Sequence, residues 1–140
     1  MSYLYNLSLM KKLVYILFFI LLGSSSLLSQ TTTGYVTVTW DYCEPCCLGM
    51  QYGPCITVVR DFDNYVVVAD MCDTISSAPF EVQFSFTMPQ CTSNWDFTVY
   101  AAVWAGCEGG PLCCHGKNPG ETRTCSDLED PDNLPIEVVW

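Results

Sequence analysis

The chain has 140 residues, a formal net charge of −10 at pH 7, ten cysteines and a 50% share of hydrophobic residues, enough apolar material for one domain with its own core. Five lysines and arginines stand against fifteen acidic residues. Binding to phosphate backbones or to anionic membrane surfaces rests on basic side chains, so nucleic-acid recognition and electrostatic membrane docking are excluded as functions.

In chain order, Lys11 and Lys12 precede an apolar run over 13–22, and Gly23-Ser24-Ser25-Ser26 follows with small residues. A charged start, a short apolar core and a small-residue end predict an export signal over 1–29, removed from a domain of residues 30–140. Ser26 with Ser24 fits the small-x-small cleavage rule better than Ser29 with Leu27, and either cut leaves the same fold. The apolar run is shorter than the roughly 20 residues a spanning helix needs, so no stable membrane span is expected once the leader is gone. The leader resembles the export signals of Gram-negative bacteria, with Met10 as a second plausible start. Its removal leaves Arg60, Lys117 and Arg123 as the only cations.

Beyond the leader the apolar pattern has period two, which predicts strands with one buried face. Val36, Val38, Trp40 and Tyr42 share one face of a first strand, opposite Thr37, Thr39 and Asp41. Residues 55–60 and 65–70 are rich in β-branched side chains and flank Asp61-Phe62-Asp63-Asn64, which suits a hairpin loop. Phe80, Val82, Phe84, Phe86 and Met88 alternate with Glu81, Gln83, Ser85 and Thr87; Trp95, Phe97, Val99, Ala101 and Val103 form a further face, with Tyr100 and Trp104 on its reverse. Ile136, Val138 and Trp140 supply a last strand after Pro135. No segment after the leader has a helical period. The expected fold is all-β, a disulfide-rich two-layer antiparallel sandwich of about six to seven strands.

Residues 56–103 carry Arg60-Asp61-Phe62-Asp63-Asn64, then Phe84-Ser85-Phe86-Thr87-Met88-Pro89, then Phe97-Thr98-Val99-Tyr100-Ala101. In this strand rhythm the segment resembles exported transthyretin-like and immunoglobulin-like sandwiches, or a C2-like one. The C2-like resemblance implies that Asp61, Asp63 and Asn64 offer oxygens to a calcium ion, although the same residues suit an ordinary turn.

All ten cysteines follow the leader: Cys43, Cys46, Cys47 and Cys55 early, Cys72 and Cys91 around the 80–88 strand, and Cys107, Cys113, Cys114 and Cys125 late. An exported chain meets an oxidising environment, so five bridges are expected, with the connectivity left open by the sequence. The doublets Cys46-Cys47 and Cys113-Cys114 are expected to take two different partners each, because a bond between neighbours strains the peptide between them. The rival reading is a metal site from Cys43, Cys46, Cys113, Cys114 and His115, at odds with an oxidising compartment and with the cysteines left over. Cys-x-x-Cys-His, which covalent haem attachment needs, does not occur, and Cys-x-x-Cys beside a βαβ pattern is likewise missing.

His115 is the only histidine, and no nucleophile elbow accompanies it, so no catalytic residue, cofactor or resident metal is assigned and an enzyme is not expected. Asp127, Glu129, Asp130 and Asp132 gather near the end, as a solvated loop or as a site for a cation or basic partner. The expected function is an exported structural or surface-assembly protein at a bacterial cell surface, self-associating into an extracellular, fibre-type assembly or docking on another envelope protein. Its strand edges are expected at residues 31–40 and 134–140. The alternative is a monomeric module that binds a glycan, peptide or calcium ion, with Trp95, Tyr100 and Trp104 available to stack on a sugar.

Overall fold

Alternation of apolar and polar residues carries most of this chain into strands. The computed structural model describes residues 30–60, 66–76, 80–91 and 95–140; the leader and the Asp61, Asp63 and Asn64 turn lie outside them. In order come β1 (Thr31–Trp40), β2 (Gln51–Arg60), β3 (Val66–Cys72), β4 (Glu81–Pro89), β5 (Asp96–Gly106), β6 (Leu112–Lys117), β7 (Glu121–Thr124), the short helix α1 (Cys125–Glu129) and β8 (Ile136–Val138). One sheet has the order β4-β1-β8 and the other β3-β2-β5-β6, with β7 also paired to β5. The fold is all-β and disulfide-rich.

The two sheets share one core. Val36, Val38 and Trp40 of β1, Phe84, Phe86 and Met88 of β4, and Ile136 and Val138 of β8 meet Ile56 and Val58 of β2 and Phe97, Val99, Ala101 and Val103 of β5. These are the side chains that the period of two places inward, and burying each of the valines, isoleucines, phenylalanines and Met88 contributes about 1.5–3 kcal/mol relative to leaving it in water. Trp40, Tyr52 and Phe80 add a cluster of tilted and edge-on rings, with centroids 5.4–6.4 Å apart.

Four expectations need correction. Tyr42 is not on the buried face: β1 ends at Trp40, and Tyr42 is 62% exposed, resting edge-on against Phe80. The sandwich is not wholly antiparallel, because β8 runs parallel to β1, pairing Val38 with Ile136 and Trp40 with Val138. Eight strands are described rather than six or seven. The added ones, β6 and β7, divide one edge of β5 between them, β6 along 102–106 and β7 along 96–99. Pro119, which has no N–H, and Gly120, at φ 108°, interrupt what would be a single strand. A helix also forms: Thr124 accepts from the Asp127 N–H while the Asp127 carboxylate accepts from the Thr124 N–H, a reciprocal cap at the start of α1. Leu128 on this turn is fully buried.

The hairpin expected from 55–60 and 65–70 is formed by β2 and β3, antiparallel, with Cys55 opposite Cys72 and Arg60 opposite Val66. Gly53 of β2 lies under the Trp104 indole, where a Cβ would collide with the ring. That close approach is why β2 tolerates a glycine in its interior.

Candidate functional site

Two features set this domain apart, a cysteine clamp at one end and an apolar strand edge. The clamp begins with loop 41–50, which leaves β1 toward β2, and with the tight connection from β5 to β6, closed by hydrogen bonds from the Cys107 N–H to the Pro111 carbonyl and from the Gly110 N–H to the Cys107 carbonyl. Cys43 bridges to Cys114, Cys46 to Cys113 and Cys47 to Cys107, with Cα separations of 6.2, 5.8 and 6.4 Å. Each doublet takes two different partners, as expected from the strain of a vicinal bond. Cys55–Cys72 joins direct cross-strand partners of β2 and β3, and Cys91–Cys125 fastens the end of β4 to α1. No free cysteine is left. Bridges of this number belong to proteins that fold in oxidising compartments, and among the described residues no helix is long and apolar enough to cross a membrane.

The three clamp bridges form a ladder of graded accessibility. Cys43 is 1% exposed, with the Trp40–Tyr52 cluster beside it in the core; Cys46 is exposed, and Cys47, Cys107 and Cys113 are half-buried. Burial pushes the Tyr52 phenol up from its ordinary pKa, a backbone hydrogen bond involving Cys43 acting in the opposite direction. The sulfurs brought together most closely are those of Cys46, Cys47, Cys107 and Cys113, all within 4.8 Å of one another. Cys43, Cys114 and His115, named in the rival metal reading, are not in that group. His115 lies exposed on β6, opposite Trp104 in the register.

The strand edge is β3. No described strand lies beyond it, and Val66, Val67 and Met71 are exposed along it, Val67 by 57%. Its one charge, Asp70, accepts a hydrogen bond from the Thr57 hydroxyl at 3.1 Å. A register shift opposite Val58 and Val59 leaves Val68 as an extra residue, a bulge that bends the strand without covering its apolar side chains. The edge expected at residues 31–40 is corrected by the topology, since β1 is the central strand of its sheet. β8 pairs only with Val38 to Trp40, and farther along β1 the Asn133 side chain donates to the Tyr35 carbonyl at 2.8 Å. β8 does border its sheet, but it is only three residues long.

The aromatics available for a sugar are not gathered in one place. Trp95 is half-buried with the Arg60 guanidinium 4.8 Å above its ring, while Tyr100 and Trp104 lie on the outward face of β5. In the acidic segment, Asp127 caps α1 and Asp130 accepts from the Asp132 N–H at 2.9 Å. These carboxylates therefore do turn chemistry. The clamp pairing and the β3 edge escaped sequence reasoning. Matching doublets in an early and a late cysteine cluster were the available signal for the first, and Val66-Val67-Val68 next to a turn for the second.

In comparisons with known proteins, no family model, no curated protein and no solved structure matches this chain.

Proposed function

We propose that the chain is an exported structural protein whose copies associate edge to edge through β3, with no catalytic role of its own. The observation that carries this reading is an edge strand with three exposed apolar side chains and no lysine or proline to blunt it, the arrangement that invites strand addition from a neighbour. The disulfide ladder supports an extracellular, cell-surface setting, and the strand rhythm shared with transthyretin-like, immunoglobulin-like and C2-like sandwiches agrees with it. Docking on another envelope protein uses the same edge.

The test is the mass of the oxidised protein in solution, by light scattering and electron microscopy, beside Val67→Lys. Val67 is exposed, so the lysine leaves the core intact and places a charge on the edge. The expected outcome is assembly of the unaltered protein and a monomer with an unchanged melting temperature for the variant. A protein that stays monomeric at high concentration refutes the proposal and leaves the monomeric binding module, for a glycan, peptide or calcium ion, as the reading to pursue.

A further inference from the structure

The outer two rungs of the clamp hold four sulfurs in a space that suits more than two disulfides. The Sγ atoms of Cys46, Cys47, Cys107 and Cys113 all lie within 4.8 Å of one another. A zinc ion bound by four thiolates at about 2.3 Å sets its sulfurs about 3.8 Å apart at the corners of a tetrahedron. Once the two bonds are opened, the bonded sulfurs must move apart, while those of different bridges start no more than 4.8 Å from one another, within about 1 Å of the required spacing. Thiolates also select soft and borderline cations over calcium or magnesium.

Within the clamp, accessibility and redundancy favour opening these two bridges before Cys43–Cys114; outside it, Cys55–Cys72, with Cys72 exposed and Cys55 half-buried, is as open to a reductant. Cys46 is exposed and its three companions are half-buried, whereas Cys43 is 1% exposed and only its partner Cys114 is half-buried. With Cys43–Cys114 intact, loop 41–50 stays fastened to β6 when the outer rungs are reduced. Glu44 and Glu108, both exposed, sit next to Cys43 and Cys107 in the chain and place negative charge on the two loops that carry the sulfurs.

We propose that Cys46, Cys47, Cys107 and Cys113 form a zinc site that becomes available when Cys46–Cys113 and Cys47–Cys107 are reduced. Two equivalents of a dithiol each deliver an electron pair and two protons, end as cyclic disulfides, and leave four thiols on the protein. One zinc(II) ion then displaces four protons and makes four Zn–S bonds. The oxidised protein has no such site, so binding reports the reduced state of these two bridges and does not require Cys43–Cys114 to open.

The experiment treats the oxidised protein with a limiting amount of a water-soluble phosphine, which gives the same four thiols from these two bridges, and maps every thiol formed by alkylation and peptide mass. Zinc chloride is then titrated in without oxygen, and bound zinc is counted with a chromogenic chelator. The expected result is labelling of Cys46, Cys47, Cys107 and Cys113 ahead of Cys43 and Cys114, with Cys55 and Cys72 labelled alongside them, then one zinc per chain that shields the first four from alkylation and leaves Cys55 and Cys72 reactive. Cobalt(II) in place of zinc is expected to show the absorption of a tetrahedral tetrathiolate. The Cys46→Ser/Cys113→Ser variant loses the bound zinc, and Cys55→Ser/Cys72→Ser keeps it. If the first variant does not fold, the shielding pattern in the unaltered chain decides alone. No zinc on the four-thiol form, zinc retained by a folded Cys46→Ser/Cys113→Ser protein, or shielding that falls on Cys43 and Cys114 overturns the proposal.

Discussion

Removing Cys46–Cys113 is expected to destabilise the domain less than removing Cys91–Cys125, although the first bridge spans 67 residues and the second 34. Taken alone, loop-closure entropy ranks them the other way. The clamp reverses the order, because Cys43–Cys114 already joins the same two segments across a separation of 71. With that bridge in place, Cys46–Cys113 closes a ring of only a few residues, worth about 2 kcal/mol, while Cys91–Cys125 closes its full loop, worth about 3.8 kcal/mol. Replacing both cysteines by alanine in each case, and melting the two oxidised variants in a calorimeter, should separate their midpoints by roughly 7 °C at about 4 °C per kcal/mol. A further variant lacking both Cys43–Cys114 and Cys46–Cys113 should lose more than the sum of the two single removals, since each bridge makes the other redundant. Equal midpoints, or a lower one for the Cys46–Cys113 variant, would refute the nested-loop reasoning.

Gly53→Ala is expected to destabilise the domain by about 1–3 kcal/mol in urea, because the added methyl group meets the Trp104 indole; a parallel change in tryptophan fluorescence would locate the disturbance. Thr124→Ala removes the hydroxyl of the α1 cap and should lower stability at neutral pH by about 1 kcal/mol. The Thr124 side chain, then its backbone N–H, holds the Asp127 carboxyl below its ordinary pKa, so this contribution is present above the unfolded value of about 3.9 and is lost as pH falls through the lower folded value. NMR titration should therefore find Asp127 titrating higher in Thr124→Ala, and the stability gap between the two proteins closing in acid.

How far the fold was legible depends on how local its causes are. The inward faces of β1, β4 and β5 follow from side-chain alternation alone, which is why Val36, Phe84 and Phe97 were placed correctly. Tyr42 was misplaced because alternation does not say where a strand stops, and here the chain turns away after Trp40 to deliver Cys43 to its partner. β6 and β7 contain Cys-Cys-His-Gly and Glu-Thr-Arg-Thr, with little apolar pattern, and they are strands because β5 offers them an edge. The Thr124 and Asp127 cap was readable as a start signal for a helix too short to show a period. Partner choice among cysteines, and the parallel seat of β8, depend on tertiary geometry that no window of sequence contains. For the candidate site, the apolar run of β3 was visible but its place at the border of the sheet was not.

The span of the clamp bears on how the protein reaches its oxidised form. A chain emerging from the N-terminus presents Cys43, Cys46, Cys47 and Cys55 well before Cys107, Cys113 and Cys114 exist to receive three of them. An oxidant acting on the nascent segment joins early cysteines to one another. Only Cys55, with Cys72 a separation of 17 away, has its native partner close behind. Every molecule oxidised in order of appearance therefore has to exchange bonds later, a process that takes seconds to hours without help. Where oxidation keeps pace with emergence of the chain, maturation is expected to be limited by disulfide isomerisation more than by oxidation, and its yield should follow the supply of an isomerase.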